Sequence, residues 1–294
     1  MPPPQGFLEK NGGRDCTVRR EAQREPKSRS DLRLWLGARY FRARRWAWWL
    51  LGGVRYARRR PERECRHLCA SHRTPLMRRL KNVDMWMQEN KVVNLRLAAA
   101  RLDGVVLLPG ESLSYWRRIG KPARRKGYVE GMLLKNGGVT ADVGGGLCQL
   151  SNLLYWMTLH TPLTVVERHR HGYDVFPDAD RTQPFGSGAT CYYNYLDLVI
   201  RNDTPHAWRL CLRLTASHLE GQWRSDAPQA RRYEIYEREH EIRGEYWGGF
   251  TRHNVIARRV YDLDGNLIGD EPVAENHAVM MYNPMLEGSG PQRP

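Results

Sequence analysis

Residues 144–159 read Gly-Gly-Gly-Leu-Cys-Gln-Leu-Ser-Asn-Leu-Leu-Tyr-Trp-Met-Thr-Leu, three glycines running into an apolar pattern that opens on a cysteine. Leu150, Leu153, Leu154 and Met157 recur at i, i+3, i+4 and i+7, which puts them on one face of a helix. Thr161-Pro162 stops it, because a residue before proline is pushed out of helical geometry. Downstream the period changes from helical to alternating. Trp208, Leu210, Leu212 and Leu214 face one way, and Arg209, Cys211 and Arg213 the other. Leu163–Glu167 and Cys191–Arg201 are further strand candidates, and Asp264-Gly265, between Val260–Leu263 and Asn266–Ile268, is a hairpin signal. Upstream, residues 83–103 predict a helix with Trp86, Val93, Leu97 and Ala100 as its stripe and Gly104 as its stop. A short strand over Val105–Leu108 follows, closed by Pro109-Gly110. Helices precede strands, so the expected class is α+β: helices in the N-terminal half, including the one that starts at Cys148, packed on a mainly antiparallel sheet from the C-terminal half.

A chain of 294 residues, 41% hydrophobic and 27% charged, has enough apolar material for one large or two small cores. Its six cysteines include no CxxC pair, which points away from a disulfide scaffold and towards a reducing compartment. No stretch reaches the roughly 18 apolar residues of a spanning helix. The opening Met1-Pro-Pro-Pro lacks the basic-then-apolar layout of a secretory signal, so a cytoplasmic location is expected. The formal charge of +15 is uneven: residues 1–80 hold 21 Lys/Arg against 7 Asp/Glu, and the rest of the chain is close to neutral. Residues 1–30, polar and rich in Pro and Gly, are expected to be a disordered lead. Residues 31–80 form a basic aromatic arm, 81–225 the main domain, and 226–294 a C-terminal extension containing the hairpin.

Within the arm, Trp35, Leu36, Tyr40, Phe41, Trp46, Trp48 and Trp49 interleave with Arg33, Arg39, Arg42, Arg44 and Arg45, the pattern of an amphipathic basic helix interrupted near Gly52-Gly53. Two readings stand side by side. Residues 31–60 lie against an anionic membrane surface, on the inner face for a cytoplasmic chain, or their aromatic side docks on the protein while the arginines stay solvated. No helix-turn-helix, zinc-finger or RNA-binding signature accompanies the charge, so nucleic acid is not an expected partner. Cys65, His67, Cys69 and His72 crowd into eight residues, yet the interleaved spacing fits no ordinary zinc pattern. A plain helix is expected there, and no metal or other cofactor anywhere.

The chemistry is expected at Cys148. Glycines 144, 145 and 146 let the backbone turn sharply and let another molecule approach closely, and the N-terminus of the following helix favours a thiolate. The alternative is a structural cysteine on a packed helix. A nucleophilic thiol needs an imidazole and a group to hold it. Alternation after the Leu163–Glu167 strand puts Glu167, His169 and His171 on one side and Arg168 and Arg170 on the other. His160, about 18 Å along the helix from Cys148, is too distant to serve. The N–H groups near Cys148 and Gln149 would receive an oxyanion, with Ser151 one turn further on.

Gly144 to Tyr155, Pro109-Gly-Glu-Ser-Leu-Ser114 and Glu167-Arg-His-Arg-His171 together resemble the VanW family. Asn90 to Ala98, His160-Thr-Pro-Leu-Thr164 and Leu196 to Thr204 sharpen the likeness towards its glycopeptide-resistance branch. It covers roughly residues 80–225. The resemblance implies a link to the cell envelope and to vancomycin resistance. Some envelope proteins with such domains act as cysteine-dependent L,D-transpeptidases on peptidoglycan stems. By that likeness Cys148 is the nucleophile, His171 the preferred imidazole, with Arg168 meeting a carboxylate of a peptidoglycan-precursor peptide. The alternative is a non-catalytic accessory module that binds a precursor peptide or a partner enzyme. The family usually reads Gly-x-Asp-Ala-Thr where this chain has Gly186-Ser-Gly188-Ala-Thr190, so an expected acid is replaced by Gly188. Either Glu167 or Asp174 stands in for it, or the acid is not essential, or this member is catalytically weak.

Overall fold

The apolar face read from residues 150–157 is the centre of the molecule. Leu150, Leu153, Leu154 and Met157 are all essentially inaccessible to solvent, at roughly 1.5–3 kcal/mol of hydrophobic stabilisation each. The computed structural model describes residues 30–77, 84–135, 138–175 and 183–285, so the expected lead over 1–30 lies, except for Ser30, outside the described residues. Among them are four α-helices: α1 (Asp31–Leu51), α2 (Met85–Leu102), α3 (Tyr115–Ile119) and α4 (Cys148–Leu159). Three precede the Cys148 helix and most strands follow it, in mainly antiparallel sheets. The α+β class is therefore what forms.

The largest sheet runs Arg58–Arg59, Val105–Leu107, Trp208–Leu214, His218–Ser225, His67–Pro75, antiparallel throughout. The alternation of 208–214 is realised: Trp208 and Leu210 are buried and Arg213 is exposed. Helix α4 packs across the His67–Pro75 and His218–Ser225 strands, and Trp223 in the latter is fully buried, donating from Nε1 to Thr158 Oγ1 (3.2 Å). A three-stranded sheet joins Ser112–Ser114, Val199–Arg201 and Thr164–Glu167. A ribbon of Glu130–Lys135 and Gly138–Val143 delivers the chain to the glycine triplet. The last sheet is a meander of Arg232–Gly244, Phe250–Tyr261 and Leu267–Met280, with the Asp264-Gly265 turn where expected and Tyr173–Asp174 added in parallel at the edge.

Three local expectations fail. Residues 67–75 are a strand and not a helix, paired from Pro75↔His218 to His67↔Ser225. This edge position, invisible in a short segment, overrides the propensity of the segment. Of Cys191–Arg201 only Val199–Arg201 is strand; Tyr192–Leu196 folds back through an isolated bridge, with Asn194 in the left-handed region at φ 53°. Helix α2 occurs over nearly the expected span but buries another face. Gln88, Lys91, Asn94, Leu95, Ala98, Ala99 and Leu102 point inward, while Trp86 and Val93 are exposed. Polar residues lie on the buried side because it meets the backbone-rich ribbon and glycine loop, whose carbonyls need donors.

Candidate active site around Cys148

The glycine triplet is closed against the protein itself. A Cβ at Gly145 would fall 2.0 Å from the Gly131 carbonyl oxygen, and one at Gly146 2.2 Å from Lys91 Cγ; Gly144 and Gly146 also adopt positive φ. Asn94 stitches this packing, donating to the Gly145 carbonyl (2.9 Å) and the Val129 carbonyl (3.0 Å) and accepting from Val129 N (2.9 Å). The close approach that needs glycine here is between two segments of one chain.

The triplet ends at the first turn of α4. Tyr115 donates from its hydroxyl to the Leu147 carbonyl (2.9 Å). Gln149 N is taken by the Gly146 carbonyl (3.1 Å), so one of the two N–H groups expected to receive an oxyanion is already engaged. The Gln149 side chain donates to Thr74 Oγ1 (2.8 Å) and the Pro75 carbonyl (2.9 Å), tying α4 to the edge strand. Ser151, buried, donates to the Ala189 carbonyl (2.6 Å). Cys148 is half-buried, and its thiol donates to the Cys191 carbonyl (3.7 Å). Burial pushes the thiol above its ordinary range, with the hydrogen bonding around it opposing only in part. A thiolate in this position would face a carbonyl oxygen, so the resting form is the protonated one.

Loop 186–191 and the segment after Thr164–Glu167 converge on that first turn. Thr190 N donates to the His169 carbonyl (2.8 Å), and Ala189 N to Asn152 Oδ1 (2.8 Å). Arg168 Nε donates to the Gly188 carbonyl (2.9 Å), its Nη1 to Asn276 Oδ1 (2.8 Å) and its Nη2 to the Gly186 carbonyl, while the guanidinium lies over the Tyr155 ring at 5.0 Å. Arg170 stacks on Phe185 at 3.5 Å. Arg168 thus holds the loop together. At position 188 a Cβ would lie 2.6 Å from Asn152 Oδ1, so the space of the missing acid is filled by the amide that holds Ala189.

Of the expected carboxylate and two imidazoles, Glu167 and His169 meet: His169 Nε2 and Glu167 Oε1 are 2.9 Å apart. Among the described residues neither His169 nor His171 hydrogen-bonds to Cys148. Burial, and then the neighbouring Arg170 charge, push His171 down to about 4, so it is neutral at physiological pH. Asp174, the other candidate acid, lies instead at the edge of the C-terminal sheet with Arg252 (3.4 Å) and Tyr282 (3.0 Å).

Sequence reasoning missed a polar cluster behind this segment. Arg45 of α1 reaches Glu167 with both guanidinium nitrogens (2.6 and 2.5 Å). Asp197, fully buried, takes hydrogen bonds from Ser114 Oγ (2.5 Å) and Trp116 N (3.0 Å), and its own N–H donates to Glu167 Oε1 (3.2 Å). Burial raises Glu167, but His169 and Arg45 outweigh it and hold the carboxyl at about 2; burial and the Glu167 charge push Asp197 up to about 6. Ser114 and Asp197 both fall in stretches quoted for the resemblance, which was the available signal. Arg45 had none.

These features define a class: an α+β domain whose half-buried cysteine heads a core helix, walled by a glycine turn and an extended Glu-Arg-His-Arg-His segment. Residues 90–224, just under half of the chain, match the family model described as VanW like protein. It is 41% identical over 148 residues to the vancomycin B-type resistance protein VanW of Enterococcus faecalis (strain ATCC 700802 / V583), covering 50% of this chain and 54% of that protein. It is 32% identical over 96 residues to the uncharacterized protein YoaR of Bacillus subtilis (strain 168), 32% of each chain. The match spans about half the length of the first relative and a third of the second. No solved structure matches.

Proposed function

We propose that the chain is a vancomycin-resistance-linked envelope factor that uses Cys148 for acyl transfer on peptidoglycan-precursor peptides. The observation that carries this reading is the convergence of the α4 first turn and loop 188–191 with the segment at His169, whose carbonyl accepts from Thr190 N while the Cys148 thiol donates to the Cys191 carbonyl. In the reaction an imidazole of this segment, His171 by the resemblance, takes the thiol proton once substrate binding has brought it to the sulfur, and the sulfur attacks a peptide carbonyl carbon. The tetrahedral intermediate collapses as the amine leaves with that proton, and an acceptor amine or water then cleaves the thioester. Because the resting thiol is protonated and bound to a carbonyl, substrate has to displace the Cys191 contact first.

Intact-protein mass spectrometry after incubation with precursor pentapeptides tests this. The expected result is an acyl adduct that vanishes in Cys148→Ser. Absence of any adduct, with an unchanged resistance phenotype in Cys148→Ser cells, would refute catalysis.

A second reading, a non-catalytic module that binds a precursor peptide or a partner enzyme, is favoured by the raised thiol and by the internal engagement of Gln149, Ser151 and Arg168. Under it Cys148→Ala retains the phenotype. For the arm we propose a division of labour within α1. Trp49 is buried and Arg45 bound to Glu167, whereas Leu32, Leu34, Trp35, Leu36 and Tyr40 are exposed beside Arg33 and Arg39. No helix among the described residues is long and apolar enough to cross a membrane. The exposed end suits the surface of an anionic bilayer, the inner face if the chain is cytoplasmic. Unchanged co-sedimentation with anionic liposomes after Trp35→Ala and Leu36→Ala would refute it.

A further inference from the structure

We propose that His253, His277 and Glu275 form a site for a divalent cation of the zinc type, in the C-terminal meander outside the family-matched segment. The juxtaposition follows from register. His253 in Phe250–Tyr261 is the direct cross-strand partner of His277 in Leu267–Met280, and opposed residues in an antiparallel pair have Cβ atoms about 4.5–5.5 Å apart. Glu275, two residues before His277, shares its face of the sheet.

The side chains use that placement. His253 Nδ1 and His277 Nδ1 are 3.0 Å apart, with the rings tilted by 39°. Glu275 Oε1 lies 3.1 Å from His277 Nε2 and 3.8 Å from His253 Nδ1. All three residues offer ligand atoms within 4.8 Å of one another. Zinc–nitrogen bonds of about 2.0–2.1 Å place two donors on one ion roughly 3.0–3.4 Å apart, so the imidazole pair already has ligand spacing. Two imidazole nitrogens with a carboxylate suit zinc, nickel or copper and are a poor set for calcium or magnesium, which take oxygen.

Access fits as well: the His253 side chain is 8% exposed, but those of His277 and Glu275 are 34% and 56% exposed and open the site to solvent. A bound ion would clamp the two strands near the edge where Val279 pairs with Tyr173, two residues beyond His171. This proposal is independent of any reaction at Cys148.

The test is Zn2+ titration of the full chain after chelator treatment, read by competition with a chromophoric chelator, and Co2+ absorption for ligand type. One ion per chain is expected, with a cobalt spectrum free of thiolate charge transfer. Glu275→Gln, at an exposed position, should weaken binding ten- to a hundredfold, and His277→Ala at least a hundredfold. No binding, a thiolate signature, or affinity unchanged in Glu275→Gln would overturn the proposal. If His277→Ala fails to fold by far-UV circular dichroism, Glu275→Gln decides alone.

Discussion

Asp197→Asn should abolish a stability gain that the protein makes on mild acidification. Asp197 is fully buried against Glu167, its carboxyl accepting from Ser114 Oγ, Trp116 N and Leu198 N, and it ionises near 6 in the folded chain against 3.8 for an ordinary aspartate. That difference is worth about 3 kcal/mol at about 1.4 kcal/mol per pH unit. Between the two values the folded state binds a proton that the unfolded state has released. Stability therefore rises as pH falls through 6, and about 2 of the 3 kcal/mol is regained by pH 4.5. Glu167 leaves this window undisturbed. Held at about 2 when folded and 4.5 when unfolded, it contributes stability above 4.5 that is lost only as pH drops towards 2. Urea unfolding of wild type and Asp197→Asn, followed by circular dichroism from pH 7 to 4.5, isolates the effect, because histidines common to both cancel in the difference. A wild-type minus mutant difference that stays constant over this range would refute the reasoning, and with it the assignment of Asp197 as a carboxyl strained by burial.

Further outcomes follow from the same contacts. Arg45→Ala leaves Glu167, only 20% exposed, without its bidentate partner; a loss of about 3 kcal/mol is expected, with faster proteolysis near α1, measured by melting and limited digestion. Gly188→Asp, which supplies the acid that the resemblance leads one to expect there, should lower stability by about 1–3 kcal/mol, because its Cβ displaces the Asn152 amide; an unchanged melting temperature would mean that Asn152 yields freely. Leu154→Ala should cost about 2–5 kcal/mol in urea unfolding, since the side chain is fully buried in the core. Cys148 should alkylate more slowly at pH 7 than a free thiol, as burial holds it protonated; a faster rate would show an activating partner beyond the described contacts.

Residues 148–159 and 208–214 were legible because helix and strand periodicities are local properties of the chain. The apolar face at 150, 153, 154 and 157, the alternation from Trp208 and the turn at Asp264-Gly265 all appear as read, and so does the α+β order. The cysteine, its glycines and the Glu167–His171 segment were legible as candidate residues from their motifs. What these groups touch was not. That Arg168 binds the Gly186 and Gly188 carbonyls, that the glycines seat Gly131 and Lys91, and that α2 turns Asn94 inward depend on packing between segments tens of residues apart. The sequence alone determined the class of fold, the VanW-like segment and the position of the thiol. Tertiary structure decided the protonation of Cys148, the pairing of Arg45 with Glu167 and the meeting of His253 with His277. Burial and cross-strand register are set only when distant segments close on one another.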